Sequence, residues 1–119
     1  MKLTLPTNSP MKSKDFIYGA ATASFQIEGG IAQRLPCIWD SFCAQPSTIA
    51  DNSNGAVACD HFHLWQQDID MLKTLNVDAY RFSIAWGRVM NQDGSVNQEG
   101  INFYIQILER LKQYGIKAF

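Results

Sequence analysis

The spacing of apolar residues changes several times along the chain, and each change predicts a different element. A short apolar run at residues 16–18 indicates a strand that continues into a row of small residues. From Asp60 to Asn76 the apolar residues recur at helical spacing, with Asp60 as the predicted N-cap and Asn76 as the left-handed residue that ends the helix. The predicted core-facing stripe of this helix comprises Phe62, Trp65, Ile69 and Leu72.

The second half of the chain continues with a strand, a helix and a further strand. Residues 79–86 alternate between bulky and small or polar side chains, which is typical of a strand with two different faces. A helix is predicted from Asn97 to Gly115, and residues 116–119 open a third strand. The bulky strand face comprises Tyr80, Phe82, Ile84 and Trp86, and the helix stripe comprises Ile101, Tyr104, Ile105, Leu108 and Leu111.

This order of elements predicts an α/β fold with a parallel sheet. Strand, long excursion, helix, strand, helix and strand is the alternation of β/α units. Residues 1–15 lack periodicity and contain two prolines, so we expect a flexible leader before the first strand. Residues 31–54 form a long loop, and loops of this length are commonly functional.

Composition excludes several classes of partner. The chain is 46% hydrophobic and 18% charged with a net charge of -1, so it has no electrostatic footprint for nucleic acid or a membrane surface. No apolar run could span a bilayer or serve as a signal sequence, and a cytoplasmic location is the default expectation. Three cysteines suggest neither a disulfide framework nor a metal site. We expect no cofactor.

The first strand leads into two polar residues, Gln26 and Glu28. In an extended chain they would point the same way. An amide that both donates and accepts, beside a carboxylate, suits the recognition of vicinal hydroxyls. The alternative is that both side chains only satisfy backbone groups at the end of a Gly/Ala-rich strand.

The order of residues in this region resembles the N-terminal signature of family 1 glycoside hydrolases. The signature reads Phe16-x-Tyr18-Gly19-x-Ala21-x-Ala23-Ser24-Phe25-Gln26-x-Glu28-x-Gly30. The resemblance continues, in the order of the family, through Ile38-Trp39-Asp40-Ser41-Phe42, Val57-Ala58-Cys59-Asp60-His61 and the strand Asp78-Ala79-Tyr80-Arg81-Phe82-Ser83-Ile84-Ala85-Trp86. So many ordered matches are not a chance result.

The resemblance implies a (β/α)8 barrel enzyme that hydrolyses β-glycosidic bonds with retention, most often in β-glucosides, in oligosaccharide or cellulose degradation. A closed barrel needs about 250 residues. The 119 residues therefore predict only the N-terminal part of one, over residues 16–119, with two βα units and the start of a third strand. The remainder of the barrel would then be a partner of this segment.

The resemblance also implies roles for individual residues. Gln26 would bind hydroxyls of the glycone, and Arg81 would orient the nucleophilic glutamate and stabilise its charge. The Asn-Glu-Pro and Glu-Asn-Gly motifs that carry the family's two catalytic carboxyl groups do not occur, so we predict no catalytic residue in this chain. The alternative for Arg81 is a side chain that points into solvent at a sheet edge.

Five further residues match family motifs and are predicted to be structural or supporting: Glu28, Trp39, Asp60, His61 and Trp86. Trp39 could stack on a sugar ring or anchor its loop. His61 and His63 do not share a helix face, so we expect no metal site and a hydrogen-bonded His61. Gly87 stands where many members have proline, which should alter the exit of the strand.

Two alternatives remain at this point. The chain could itself be a non-catalytic product that self-associates or binds sugar weakly through Gln26. It could also belong to an unrelated α/β barrel enzyme, which the complete signature disfavours.

Overall fold

The computed structural model describes residues 4–119, which form one three-stranded parallel sheet with helices packed against it. The strands are β1 (Gly19–Ala21), β2 (Ala79–Arg81) and β3 (Lys117–Ala118), and β2 lies in the centre. Gly19 pairs with Ala79, and Ala79 pairs with Lys117. The helices are α1 (Ser24–Ile27), α2 (Ile38–Cys43), α3 (His61–Thr74), α4 (Trp86–Val89) and α5 (Gln98–Gln113). The predicted α/β alternation is confirmed.

The hydrophobic core lies between one face of the sheet and the two long helices, α3 and α5. It centres on Ile69 of α3, Ile107 and Leu111 of α5, and Tyr80 of β2, all of which are almost completely buried. Phe62, Trp65 and Leu72 pack against its margin, so the predicted stripe of α3 is confirmed. Burial of this apolar surface is the main force that holds the helices on the sheet.

The core face of α5 agrees with the predicted stripe at Ile101, Tyr104 and Leu111 but differs at two positions. Phe103 and Ile107 are buried, whereas Ile105 and Leu108 remain about 40% exposed. The helix carries apolar residues on more than one side, and periodicity alone does not say which side meets the sheet. The predicted ends of α5 are correct: the Asn97 side chain accepts hydrogen bonds from the backbone of Glu99 and Gly100, and Gly115 has a positive φ of 69°.

The strands are shorter than predicted, and the first is displaced along the chain. Phe16, Ile17 and Tyr18 precede β1 and stay exposed, while the small residues 19–21 form the paired strand. β1 lies so close to β2 that only small residues fit there, since a Cβ on Gly19 would lie 2.9 Å from the Ala79 carbonyl oxygen. The predicted strand over residues 79–86 ends at Arg81.

The sheet has one covered face and one open face. The radius of gyration is 17.5 Å, whereas a compact domain of this length has about 13 to 14 Å. Tyr80 faces the helices, so its neighbour Arg81, which is exposed, points to the opposite side. Residues 4–119 provide no second layer on that side. Among them, no helix is long and apolar enough to cross a bilayer.

The segment before β1 contains a 3-10 helix at Pro10–Lys12. The Tyr18 hydroxyl donates a hydrogen bond to the Met11 carbonyl oxygen at 2.5 Å, which ties this turn to the start of the sheet. Residues 1–3 of the predicted leader lie outside the described residues.

Candidate functional site

Side chains and backbone groups join the two segments that follow β1 and β2. The backbone N–H of Thr22 donates to the Arg81 carbonyl oxygen at 2.9 Å, and the backbone N–H of Ser24 donates to Oγ of Ser83 at 2.8 Å. Because the carboxyl ends of parallel strands meet at one edge of a sheet, residues 22–30 and 82–89 together form one side of a candidate site.

Gln26 lies on a helical turn and not in extended chain. The backbone N–H of Glu28 donates to the Ser24 carbonyl oxygen at 2.9 Å, so Gln26 and Glu28 do not point the same way as predicted. Gln26 is exposed and lines a cleft of about 480 Å³ together with Phe25, Trp39 and Asn54. Among the described residues, none forms a hydrogen bond with the amide nitrogen or oxygen of Gln26, so both atoms can bind a ligand.

Glu28 points away from this cleft and is buried. Its Oε2 accepts from Nε of Arg88 at 2.9 Å, and its Oε1 accepts from the Tyr104 hydroxyl at 2.6 Å. Burial and the neighbouring carboxylate both raise the pKa of the Tyr104 phenol, so the hydroxyl keeps its proton and donates. Glu28 therefore links α1 to α4 and α5.

Arg88 is a functional-site neighbour that the sequence did not reveal. Its side chain is fully buried between two rings, 4.0 Å from the centroid of Phe62 and 5.6 Å from that of Phe103. The only signal in the sequence was indirect: a buried glutamate requires a cation. Nothing in a single sequence identifies which arginine supplies it.

Arg81 is exposed at the end of the central strand. Its exposure agrees with the alternative of a side chain in solvent, but β2 is the central strand and not an edge strand. Residues 4–119 place no carboxylate within ion-pair distance of its guanidinium. Its positive charge is thus available on the open face of the sheet.

A smaller cleft of about 300 Å³ separates the loop of α2 from the exit of β2. Trp39 and Trp86 both line it and are exposed by 52% and 74%. Trp86 begins α4, and the assignment of Ile84 and Trp86 to the bulky face of a strand is wrong because the paired strand ends at Arg81. The backbone there bonds to side chains: Ala85 N–H donates to the Tyr104 hydroxyl at 2.8 Å.

The absence of a side chain at Gly87 also shapes this cleft. The Leu35 N–H donates to the Gly87 carbonyl oxygen at 2.7 Å, and a Cβ on Gly87 would lie 2.7 Å from the Leu35 carbonyl oxygen. Gly87 therefore permits close docking of the loop that precedes α2, in addition to the expected effect on the strand exit.

An ion pair anchors the loop that carries Trp39. Arg34 donates to both carboxylate oxygens of Asp40 at 2.6 and 2.7 Å, and the Cys37 backbone N–H donates to the same carboxylate at 2.7 Å. Trp39 packs against Phe25, with ring centroids 6.3 Å apart. These bonds lower the pKa of Asp40 to about 2, with the Arg34 hydrogen bonds as the largest cause.

Replacement of Asp40 by asparagine is expected to change the acid stability of the chain. Since the pKa of Asp40 is lower in the folded state, its contribution is present above about pH 4 and is lost as the pH falls towards 2. The free energy of unfolding of the wild type should exceed that of Asp40→Asn by about 1 kcal/mol at pH 6, and the difference should become smaller below pH 4. Urea unfolding at several pH values measures this difference; Glu109→Gln, exposed on α5, controls for the lost charge.

Asp60 and His61 lie at the start of α3 and line neither of the two clefts. Asp60 occupies the N-cap position with a positive φ of 55°, but its side chain bonds to His63 Nδ1 and makes no capping hydrogen bond, which corrects the predicted cap. His61 is buried and its Nδ1 lies 2.6 Å from Oδ2 of Asp68. The two histidines thus contact different carboxylates.

The structure brings the predicted site residues into three groups. Gln26 and Trp39 share the larger cleft, while Glu28, Trp39 and Trp86 line the smaller one. The third group, Arg81, Asp60 and His61, lines neither cleft. A parallel βα layer with candidate groups after its strands is the arrangement of ligand sites in α/β folds, the α/β barrel among them.

Comparison with known proteins makes this assignment specific. Residues 9–119 match the model of glycosyl hydrolase family 1, and the chain belongs to that family. It is 44% identical to the β-glucosidase of Agrobacterium sp. over 108 residues, which cover 88% of this chain and 24% of that protein. It is 46% identical over 112 residues to β-glucosidase 12 of Oryza sativa subsp. indica, which cover 89% of this chain and 22% of that protein.

Solved structures agree with the sequence matches. The β-glucosidase of Exiguobacterium antarcticum superimposes with a TM-score of 0.84 at 45% identity, over 89% of this chain and 24% of that one. The family 1 β-glucosidase of Thermotoga maritima gives 0.85 at 42% identity, over 90% and 25%. The chain thus spans about a quarter of the length of these relatives, and its fold is that of the N-terminal part of a (β/α)8 barrel, as predicted.

Proposed function

We propose that this chain forms the N-terminal part of a β-glucosidase that hydrolyses β-glycosidic bonds with retention of configuration. The observation that carries the proposal is Arg81, an exposed guanidinium at the carboxyl end of the central strand with no carboxylate partner in residues 4–119. A cation in that position suits a carboxylate supplied by the strands that complete a barrel.

The chemistry requires two carboxyl groups about 5 to 5.5 Å apart. One protonates the glycosidic oxygen of the leaving group, while the other attacks the anomeric carbon and forms a glycosyl-enzyme that water then hydrolyses. Arg81 would contact the attacking carboxylate, keep it ionised by lowering its pKa, and hold it in line with the anomeric carbon.

Gln26 would bind the glycone. Its amide donates through nitrogen and accepts through oxygen, so one side chain can bond to two neighbouring hydroxyls of a pyranose. The similar enzyme from Thermotoga maritima has been solved with castanospermine and with azafagomine. We propose that this chain contributes to binding of the same kind of polyhydroxylated ring.

The test is a fusion in which the whole 119-residue chain replaces the matching N-terminal quarter of the Thermotoga maritima enzyme. The fusion should hydrolyse 4-nitrophenyl β-glucoside. Arg81→Met should lower kcat about 100-fold, because a charge aimed at the reacting centre is lost, and Gln26→Ala should lower kcat/KM about tenfold.

Arg110→Met is the matched control. It removes an arginine that pairs with Asp70 on the outer helices, and its kinetic constants should stay within about twofold of the parent fusion. A folded fusion without turnover, or an Arg81→Met variant as active as its parent, would contradict the proposal.

A non-catalytic, self-associating product is the second candidate. The exposed apolar residues Ile105 and Leu108 on α5, together with Trp86, favour association with other protein surface. An inactive but folded fusion, with the 119-residue chain sedimenting as a defined oligomer, would support this candidate over the enzyme.

A further inference from the structure

The buried charge cluster of Glu28, Arg88 and Tyr104 connects the two segments that carry the candidate substrate-binding groups. Besides its bond to Glu28, Arg88 donates from Nη2 to the Gly29 carbonyl oxygen at 2.9 Å. Side-chain exposure is 0% for Arg88 and 5% for Glu28. The guanidinium therefore holds both the side chain of Glu28 and the backbone of the next residue.

The backbone around Glu28 is equally constrained. The Glu28 carbonyl oxygen accepts from the Phe62 N–H at 2.9 Å. Gly29 follows with a φ of 62°, and a Cβ there would lie 2.1 Å from the Val57 carbonyl oxygen. Glu28 thus fixes the last turn of α1, on which Gln26 lies two residues earlier.

Tyr104 also contacts the segment that follows β2. Its hydroxyl donates to Glu28 and accepts from the N–H of Ala85, which lies four residues after Arg81. One phenol oxygen therefore sets the distance between the end of α1 and the exit of β2. Nη1 of Arg88 is buried and has no hydrogen-bond partner in residues 4–119, so the cluster leaves one of its donor groups unsatisfied.

An apolar cluster could fill this volume with equal or greater stability, since buried ion pairs seldom exceed the stabilisation given by well-packed hydrophobic residues. Charged and hydrogen-bonded groups, unlike apolar ones, also fix the relative orientation of the groups that they join. We infer that Glu28, Arg88 and Tyr104 act as positioning residues that hold Gln26 and the segment after Arg81 in one relative geometry. This inference rests on the proposed glycosidase function.

The test is a double-mutant cycle between Tyr104→Phe and Gln26→Ala in the fusion enzyme, with 4-nitrophenyl β-glucoside as the substrate. Tyr104→Phe removes a single oxygen atom and preserves the ring. With Gln26 present, it should lower kcat/KM about tenfold, since misplacement of a binding group by a fraction of an ångström is costly. In the Gln26→Ala background it should cost less than about threefold, because Gln26 is already absent and only the effect on the segment after Arg81, through Ala85, remains.

Tyr114→Phe is the control for loss of a tyrosine hydroxyl. Tyr114 donates to the carboxylate of Asp70, away from both clefts, so its removal should leave kcat/KM within about twofold in either background. Arg88→Lys provides a second positioning variant, because a single ammonium group cannot reproduce the planar fork that contacts Glu28 and Gly29. Like Tyr104→Phe, Arg88→Lys should lower kcat/KM much less in the Gln26→Ala background than when Gln26 is present.

The outcomes separate the inference from the function on which it rests. A parent fusion that folds but is inactive would refute the proposed function itself. An active parent in which Tyr104→Phe and Gln26→Ala effects multiply, as those of independent sites do, would overturn the positioning role. A Tyr104→Phe variant with unchanged kcat/KM would overturn it as well.

Discussion

Replacing Glu28 by alanine is expected to lower the free energy of unfolding of the 119-residue chain by about 3 to 5 kcal/mol. The change leaves the fully buried guanidinium of Arg88 without a counter-ion and the Tyr104 hydroxyl without its acceptor. The lost bonds matter less than the buried charge that they leave uncompensated. Urea unfolding followed by the fluorescence of the three tryptophans measures the effect.

Two further variants identify the cause of that loss. Glu109→Ala removes an exposed glutamate from α5 and should change stability by less than about 0.5 kcal/mol. A double variant, Glu28→Leu with Arg88→Met, removes both charges and should regain part of the stability lost by Glu28→Ala. If the double variant were less stable than Glu28→Ala, the cost would come from packing and not from the unpaired charge.

Gly100→Ala is expected to destabilise the chain by about 3 kcal/mol or more, although alanine is the better helix former by about 1 kcal/mol. A Cβ at Gly100 would lie 1.9 Å from the carbonyl oxygen of Arg88, which is backbone and cannot turn aside. Relief requires α4 and α5 to separate, and this movement would also pull Arg88 from Glu28. Thermal and urea unfolding of the variant measure the loss.

A second alanine substitution on α5 separates the clash from the helix propensity. Gln106 is exposed on the same helix, and Gln106→Ala should leave stability unchanged or slightly increased. A Gly100→Ala variant as stable as the wild type would show that the two helices pack less closely than the structure indicates.

The long helices were predictable from sequence because local signals agree along them. In α3 the apolar spacing and the left-handed Asn76 both point to the observed element, and in α5 the Asn97 cap and Gly115 do the same. Which of Ile105 and Ile107 is buried was not predictable, since the two residues are chemically equivalent and only the position of the sheet distinguishes them.

The strands and the polar cluster depended on contacts between distant parts of the chain. β1 consists of residues with low strand propensity because β2 lies close beside it, and no local signal records that neighbour. Arg88 is buried because Glu28 and two aromatic rings surround it, about 60 residues away in the case of Glu28. The family motifs identified Gln26 and Arg81 as candidates, but not the helical turn that carries Gln26.

The parallel register of the sheet constrains how the chain folds during synthesis. Gly19 pairs with Ala79, about 60 residues later, so at a translation rate of 5 to 20 residues per second β1 waits about 3 to 12 s for its partner. During that interval the exposed Phe16, Ile17 and Tyr18 have no sheet beside them. The Arg34–Asp40 ion pair joins residues six positions apart and can form before Gly87, which bonds to the same loop, has been synthesised. On the ribosome, the loop beside the candidate site therefore precedes the sheet that supports it.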